Sequence, residues 1–289
     1  MSGTGKPTAS AAALAAVGRH ELAALGNVLG AARPGDSVHG ARRRIKQLRS
    51  LLRLLRPCLD GVAFAGTDDA LRAAADALAG HRRAEALVAA AGKLESGKTQ
   101  AGFWRDVAHA HRAAHAAEGD PAAALAEART AIAAAAGQLG GASLRPDSDA
   151  AISEAFLATY AKARKRLRSG LKSGDATRLH EARKVVIHHL HQLSLLHPRR
   201  TRRLGALEGL REILGDLNDL DELEQIAPDA TVSARDRRRM RKARKELLGR
   251  AGKAARRLFR RKPRRFARRL GHAPAARSPR RPVALQAVE

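Results

Sequence analysis

The segment that follows Gly35 most constrains the fold, because its apolar residues repeat at the spacing of one helical face. They recur in alternating steps of four and three residues, at Ala41, Ile45, Leu48, Leu52 and Leu55. This spacing predicts an amphipathic helix whose apolar stripe faces a core. An adjacent face carries basic side chains at the same steps, at His39, Arg42, Lys46, Arg49 and Arg53, with Arg43 beside them. Like charges so spaced repel each other, and an anion that bridges them relieves the repulsion.

A second helix starts with a similar pattern 141 residues further along the chain, where His180, Arg183 and Lys184 share one face. Alanine, leucine and arginine dominate the composition, and aromatic residues make up only 2%. This composition favours helices over strands. We therefore expect an all-α protein with long helices, in which two four-helix units lie side by side.

Turn-forming residues divide the chain into two halves. We expect a disordered N-terminus over 1–7 and a first helical-bundle repeat over 8–140, with one helical region from Asp68 to Ala91 around Gly80. Gly, Ser, Pro and Asp cluster over 141–149, which predicts a linker. The second repeat is expected over 150–271, followed by a flexible basic tail over 272–289.

The charge balance indicates a polyanionic ligand. Lys and Arg number 55 against 28 Asp and Glu, a net charge of +27, and such an excess attracts polyanions. Beyond residue 231 there are 22 basic residues and 3 acidic ones. The helix before His180 adds a further basic group, at Lys162, Arg164, Lys165 and Arg168. Guanidinium groups suit phosphate because their planar fork can make two hydrogen bonds to it.

Imidazoles replace several cations in the second histidine helix. Ile187 stands where the first helix has Lys46, and His188, His189 and His191 follow it. Histidine donates to phosphate, and does so better when protonated. We therefore predict that His188 and His191 contact the ligand and that binding tightens between pH 8 and 6. The His39 helix is predicted to be the stronger anchor.

Four motifs in this order resemble the CHAD family, the conserved histidine α-helical domain. They are His39-x-x-Arg42-x-x-x-Lys46-x-x-Arg49, then His180-Glu181-x-Arg183-Lys184, then Leu214-Gly215-Asp216-Leu217-Asn218-Asp219-Leu220, and finally Leu258-Phe259 with Pro263-x-x-Phe266 to Leu270. The resemblance covers about residues 10–270. It implies two four-helix bundles related by a pseudo-twofold axis, with a basic central surface that binds inorganic polyphosphate. The contacts it implies are His39, Arg42, Lys46, Arg49, His180, Arg183 and Lys184.

An enzyme or a metal protein is not expected. The sequence contains no Glu-x-Glu-x-Lys strand of triphosphate-processing tunnel domains and no Walker-type loop. Capping, helix solvation or pairing with basic neighbours explains Asp216 and Asp219. The dense histidines around His188, and His111 with His115, are not joined by a Glu in a metalloprotease pattern. We expect no cofactor, no metal and no catalytic residue.

Nucleic acid is the alternative ligand, because its backbone is also a polyphosphate. The scarcity of aromatic residues leaves little for base stacking, so we expect at most nonspecific RNA or DNA binding, through the basic stretch after Ser233. Cys58 is the only cysteine, which excludes an intramolecular disulfide. With no long apolar run and no signal peptide, we expect no membrane partner and a cytoplasmic location, including polyphosphate granules.

Overall fold

The computed structural model describes residues 10–31, 38–95, 102–115, 121–146, 148–228 and 232–270, without the side chains of residues 31, 39, 80–85, 115 and 121. Every regular element in these ranges is helical, which confirms the all-α class. The segments 1–7 and 272–289, which we predict to be disordered and flexible, lie outside the described residues.

The helices are long in both halves of the chain, and short connections join several of them. The first half contains α1 (Ala11–Ala31), α2 (Val38–Leu55), α3 (Gly61–Ala77), α4 (Gly80–Leu94), α5 (Phe103–His115) and α6 (Pro121–Gly140), with a 3₁₀ turn at Arg56–Cys58. The second half contains α7 (Ser148–Ser173), α8 (Ala176–Leu196), α9 (Thr201–Ile226), α10 (Ala234–Phe259) and α11 (Pro263–Leu270).

The helices pack in two groups that meet at α2 and α8. In the first group α2 contacts α1 and α3, and α6 closes the group against the same two helices. In the second group α8 contacts α7 and α9, and α10 closes it in the same way, while α11 packs on α7. One continuous apolar core runs through both groups. The two histidine helices therefore face each other in the middle of the molecule.

The apolar stripe of α2 is buried as its spacing predicts. Ile45 and Leu55 are 0% exposed, and the other members of the stripe are at most 5% exposed. Burying a large aliphatic side chain contributes roughly 1.5–3 kcal/mol relative to leaving it in water. This burial fixes the rotation of α2 about its axis, so its basic residues must point towards α3, α8 or solvent.

Two helices occupy the region where one is predicted from Asp68 to Ala91, and this prediction is wrong. α3 begins earlier, at Gly61, because the Asp60 side chain caps it by accepting from the Ala63 amide (2.8 Å). It ends at Ala77, where the Ala79 amide bonds back to the carbonyl of Asp76 (2.9 Å). The chain then turns into α4.

The helices α4 and α5 pack on the second group rather than on their own half. They contact each other and α9, and α4 also contacts α10. A separate apolar cluster forms there, with Leu87, Trp104, Leu220, Leu223 and Met240 among its buried members. Trp104 is 1% exposed. The two halves of the chain are thus joined both at the α2–α8 seam and through this hairpin.

Candidate functional site: a basic seam between α2 and α8

The basic stripe of α2 is anchored on α3. Arg42 donates from Nη1 to the carbonyl of Ala75 (3.0 Å). Arg49 donates from Nε to Asp68 Oδ1 (3.1 Å), and Arg53 Nη2 lies 3.8 Å from the same oxygen. These three predicted contact residues therefore hold α2 against α3 in addition to providing positive charge.

Three guanidinium groups surround the carboxylate of Asp68. The third belongs to Arg72, whose Nη2 lies 3.1 Å from Asp68 Oδ2. The Asp68 side chain is only 9% exposed. Burial raises the pKa of Asp68, but the hydrogen bond from Arg49 and the charges of the three arginines outweigh it, so the pKa lies below its ordinary value. Arg72 also pairs with the exposed Asp69 (3.4 Å), so two carboxylates face three guanidinium groups.

Arg53 is the least satisfied member of this cluster. Burial lowers the pKa of its guanidinium and the charges of Arg49 and Arg72 act in the same direction, against the opposing effect of Asp68. Its buried Nε has no hydrogen-bond acceptor among the described residues. We call Arg49, Arg53, Arg72 and Asp68 the Asp68 cluster. A further anion beside it would relieve the repulsion that remains among the three guanidinium groups.

The outward side of α2 is open to solvent. Arg43 and Lys46 are both exposed, where they can meet a ligand at little desolvation cost. His39 lies in the first turn of α2, but its side chain is outside the described residues. The stripe therefore divides into a part fixed on α3 and a part facing water.

His188 and His191 lie in the seam and bond to Ser50 of α2. The Ser50 hydroxyl donates to the carbonyl of Lys46 (2.7 Å) and lies 2.9 Å from His188 Nδ1 and 3.0 Å from His191 Nδ1. Because a hydroxyl has one proton, both imidazoles donate from Nδ1 to the Ser50 oxygen. Gln192 adds a bond from Nε2 to the Ser50 carbonyl (3.1 Å). This network joins the two helix groups.

The histidines of the seam are neutral near pH 7. Burial, reinforced by the charge of Arg53, lowers the pKa of His188 to about 3. Burial also lowers the pKa of His189 to about 3, and it lowers the pKa of His191. The predicted gain of charge between pH 8 and 6 is therefore wrong for His188 and His189, and burial opposes it at His191. His188 and His191 act as neutral donors inside the seam.

His180 is fixed by the residue at the centre of the third motif. Its Nδ1 lies 2.5 Å from Asn218 Oδ1 on α9, and Asn218 donates from Nδ2 to Glu222 Oε1 (2.9 Å). Next to this pair, burial raises the pKa of Asp219, against the opposing charge of Arg183. α8 is correctly placed for this contact because Asp175 caps its first turn by accepting from the Arg178 amide.

Asp216 of the same motif and Asp221, directly after it, are paired with bases from other helices. Asp216 Oδ1 accepts from Lys93 Nζ of α4 (2.7 Å), and this bond raises the pKa of Lys93. Asp221 forms an ion pair with Arg244 of α10. Among the explanations left open by the sequence, pairing with basic neighbours is therefore correct for Asp216. Together with the bond between His180 and Asn218, these two pairs fasten α4, α8 and α10 to α9.

Lys184 is partly neutralised by its neighbour in the motif. Its Nζ lies 2.8 Å from Glu181 Oε1, and Arg166 of α7 bonds to the other carboxylate oxygen. The hydrogen bond from Lys184, followed by that from Arg166, lowers the pKa of Glu181 to about 2. Glu181, the second residue of the motif, thus offsets part of the positive charge of α8. The equivalent position of α2 is Gly40, which carries no charge.

The structure gives the predicted basic residues of α7 different surroundings. Lys162, Lys165 and Arg168 are exposed. Arg164 donates from Nε to the carbonyl of Phe259 at the end of α10 (3.0 Å), and it lines two concave surfaces formed with the chain around α11. Neither of these surfaces includes a residue of α2. Arg164 therefore does not belong to the α2–α8 seam.

Two arginine runs that are not among the predicted polyphosphate contacts meet in three dimensions. Arg199–Arg203 and the stretch from Arg257 to Arg269 line one open groove of about 630 Å³. Their arginine density is visible in the sequence, but their meeting depends on the antiparallel packing of α9 and α10.

Within the described residues, no three His, Cys, Asp or Glu side chains lie close enough to hold a metal ion. In the same part of the chain, no helix has the length and apolarity needed to cross a membrane.

These features define a class of protein: an all-helical chain in which two histidine-bearing helices, α2 and α8, pack against each other. The family model described as the CHAD domain matches residues 9–228, so the chain belongs to the CHAD family. A solved structure, PptA from Streptomyces chartreusis, is similar with a TM-score of 0.52 at 16% sequence identity, covering 88% of this chain and 98% of that chain. This likeness shows a shared fold. No curated protein matches the sequence.

Proposed function

We propose that this protein binds inorganic polyphosphate, as a binding protein and not as an enzyme. The CHAD family resemblance implies this ligand, and the net charge of +27 supports a polyanion. We further propose that it acts in the cytoplasm, in association with polyphosphate granules. The mechanism is multivalent, because a flexible phosphate chain can contact many cations at once.

The Asp68 cluster is the observation that carries the proposal. Three guanidinium groups share one buried carboxylate, and Arg53 has a buried donor without an acceptor among the described residues. Such an arrangement is unfavourable alone and becomes favourable when phosphate oxygens approach it. The exposed Arg43 and Lys46 lie on the same helix and extend the positive surface.

We also propose that the two helix groups are four-helix repeats related by an approximate twofold axis. The first group would contain α1, α2, α3 and α6, and the second α7 to α10. Ser50 and His191, which touch across the seam, are 141 residues apart. His39 and His180 have the same separation. Contact between equivalent positions is what an axis passing through the seam would produce, and it supports this arrangement.

The test compares two double variants with the same change in charge. Arg43→Ala with Lys46→Ala removes the exposed cations of α2, and Arg19→Ala with Arg129→Ala removes two exposed cations of α1 and α6. Titration of a long polyphosphate at ~150 mM salt should show roughly fivefold to thirtyfold weaker binding for the first pair, since each of the two lost contacts contributes roughly 0.5–1 kcal/mol. Equal affinities of the two variants would contradict the site.

Competition distinguishes polyphosphate from nucleic acid. The protein is loaded with long polyphosphate and titrated with tRNA or duplex DNA at ~150 mM salt, because phosphate-only affinity falls steeply with salt. Polyphosphate should stay bound at equal phosphate concentration. Displacement by nucleic acid would favour the alternative ligand, and failure of wild-type protein to bind polyphosphate would refute the proposal.

A further inference from the structure

An arginine-lined groove lies at the end of the second helix group, where α9 begins and α10 ends. Eight of its thirteen lining residues are arginines and none is acidic. The groove is open to solvent and has a volume of about 630 Å³. Two further concave surfaces continue it. The nearer one shares Arg260 and Arg261 with the groove. The farther one shares Arg164, Lys262 and Arg265 with the nearer one. Together they form a basic path along α11, which we call the arginine groove.

Backbone carbonyls, not carboxylates, hold the arginines that build the groove. Arg203 donates from Nη2 to the carbonyl of Leu258 (3.0 Å), and Arg164 donates to that of Phe259 (3.0 Å). Arg200 reaches the carbonyl of Arg269 (3.3 Å). These bonds satisfy carbonyl groups at helix ends, where cations are also favoured by the helix dipole. They fix the positions of guanidinium groups without removing their net charge.

Arg203 is held in a half-buried position on the lining of the groove. Its guanidinium lies over the ring of Phe266, 4.7 Å from the ring centre, and its buried Nε has no acceptor among the described residues. Burial lowers the pKa of Arg203, and the charges of Arg200, Arg269 and Arg261 act in the same direction. Among the described residues, no carboxylate forms an ion pair with any arginine of the groove. The groove is therefore preorganised for an anion.

We propose that the arginine groove is a second polyphosphate-binding surface, separate from the α2–α8 seam. This inference rests on the proposed function for the chemistry of its ligand. Phe266 is the only aromatic residue among the lining residues, and it is 3% exposed beneath Arg203. The groove thus has no exposed ring on which a nucleic-acid base could stack. Its elongated path suits a chain of phosphates.

Half of the groove's arginines lie beyond the region that the family model matches, and the other half, from Arg199 to Arg203, lie within it. The family model ends at residue 228, whereas α10, α11 and all groove arginines from Arg257 onwards follow that point. No residue of α2 lines it. A long phosphate chain that contacts both surfaces gains avidity from the higher effective concentration of its second contact.

The experiment uses the full chain and two triple variants with equal loss of charge. Arg202→Ala, Arg257→Ala and Arg260→Ala remove exposed groove cations, and Arg241→Ala, Lys245→Ala and Arg250→Ala remove exposed cations of α10 outside the groove. In calorimetric titration with short chains of about ten phosphates, we expect each chain to occupy one surface, so the groove variant should bind one fewer chain. Long chains should bind it about tenfold more weakly than they bind the control variant. Circular dichroism of both variants checks that they fold.

The outcomes separate the two proposals. If wild-type protein binds polyphosphate and the groove variant matches the control in stoichiometry and affinity, the groove proposal is overturned while the proposed function stands. If wild-type protein does not bind polyphosphate, the proposed function fails as well. If the groove variant loses affinity for duplex RNA but keeps its affinity for polyphosphate, the groove is a nucleic-acid site and the proposal is overturned.

Discussion

Replacing Asp68 with asparagine should lower the stability of the protein and strengthen its ligand binding. Arg49, 23% exposed, loses a charge-assisted partner, and such a bond is worth roughly 1.5–3 kcal/mol when desolvated. Arg72, 55% exposed, loses an exposed pair worth roughly 0–1 kcal/mol. Since an asparagine oxygen can still accept from Arg49, we expect a total loss of about 2 kcal/mol. For a protein of this size, that loss lowers the Tm by about 4 °C.

The same change removes a negative charge beside the expected phosphate positions. At about 6 Å, an effective dielectric constant of about 20 and ~150 mM salt, the lost repulsion is roughly 1 kcal/mol, or about fivefold in affinity. Thermal unfolding and polyphosphate titration measure the two effects separately. Asp69→Asn is the matched control, because Asp69 is 69% exposed and pairs only with Arg72 among the described residues. Weaker binding by Asp68→Asn, or equal behaviour of the two variants, would refute this reasoning.

Other predictions follow from the buried groups. The histidines of the seam stay neutral, so polyphosphate affinity should change less than about threefold between pH 8 and 6; a steeper rise in affinity on acidification would contradict their burial. The folded-state pKa of His189, about 3, lies below its unfolded value near 6.5, so only the unfolded state gains the proton. The free energy of unfolding should then fall as the pH drops below about 6.5, by up to about 1.4 kcal/mol per pH unit for this group. Urea unfolding at pH 7 and 5 should show a shallower decline for His189→Phe, and an unchanged decline would count against this assignment. Trp104→Ala should lower the free energy of unfolding by about 3–5 kcal/mol in the same assay. A loss below about 1 kcal/mol would mean that the packing of α5 on α9 contributes little to stability. Asn218→Ala should lower the free energy of unfolding by about 1 kcal/mol, because the hydrogen bond to His180 is lost. The NMR signals of the His180 ring should shift in this variant, and an unchanged His180 spectrum would exclude the contact.

The sequence determines the helices well because their apolar residues recur at helical spacing over many turns. The stripe from Ala41 to Leu55 is buried as expected. The sequence does not reveal the break between α3 and α4, because the segments on both sides of it are rich in alanine, a strong helix former. The two helices are distinguished by their packing, since α4 packs on α9. Gly80 is a weak signal, since a single glycine is tolerated within a helix.

The state of each basic residue is harder to predict than its presence. Arg49 and Lys46 lie three residues apart on one stripe, yet Arg49 is bonded to Asp68 and Lys46 faces solvent. His188 and His191 look like surface cations by charge pattern, but they lie at the seam between helix groups, where burial keeps them neutral. Each difference depends on a neighbour distant in sequence, which periodicity does not identify.

The hairpin of α4 and α5 has a consequence for how the chain is made. Its apolar face, with Trp104 at its centre, is covered by Leu220, Leu223 and Met240, which are synthesised long after it. A growing chain therefore carries an uncovered apolar hairpin until α9 and α10 have left the ribosome. A fragment ending at the connection between α6 and α7 would keep that face exposed and would be prone to aggregation. We therefore expect the first half to reach its native packing only when α9 and α10 cover the hairpin.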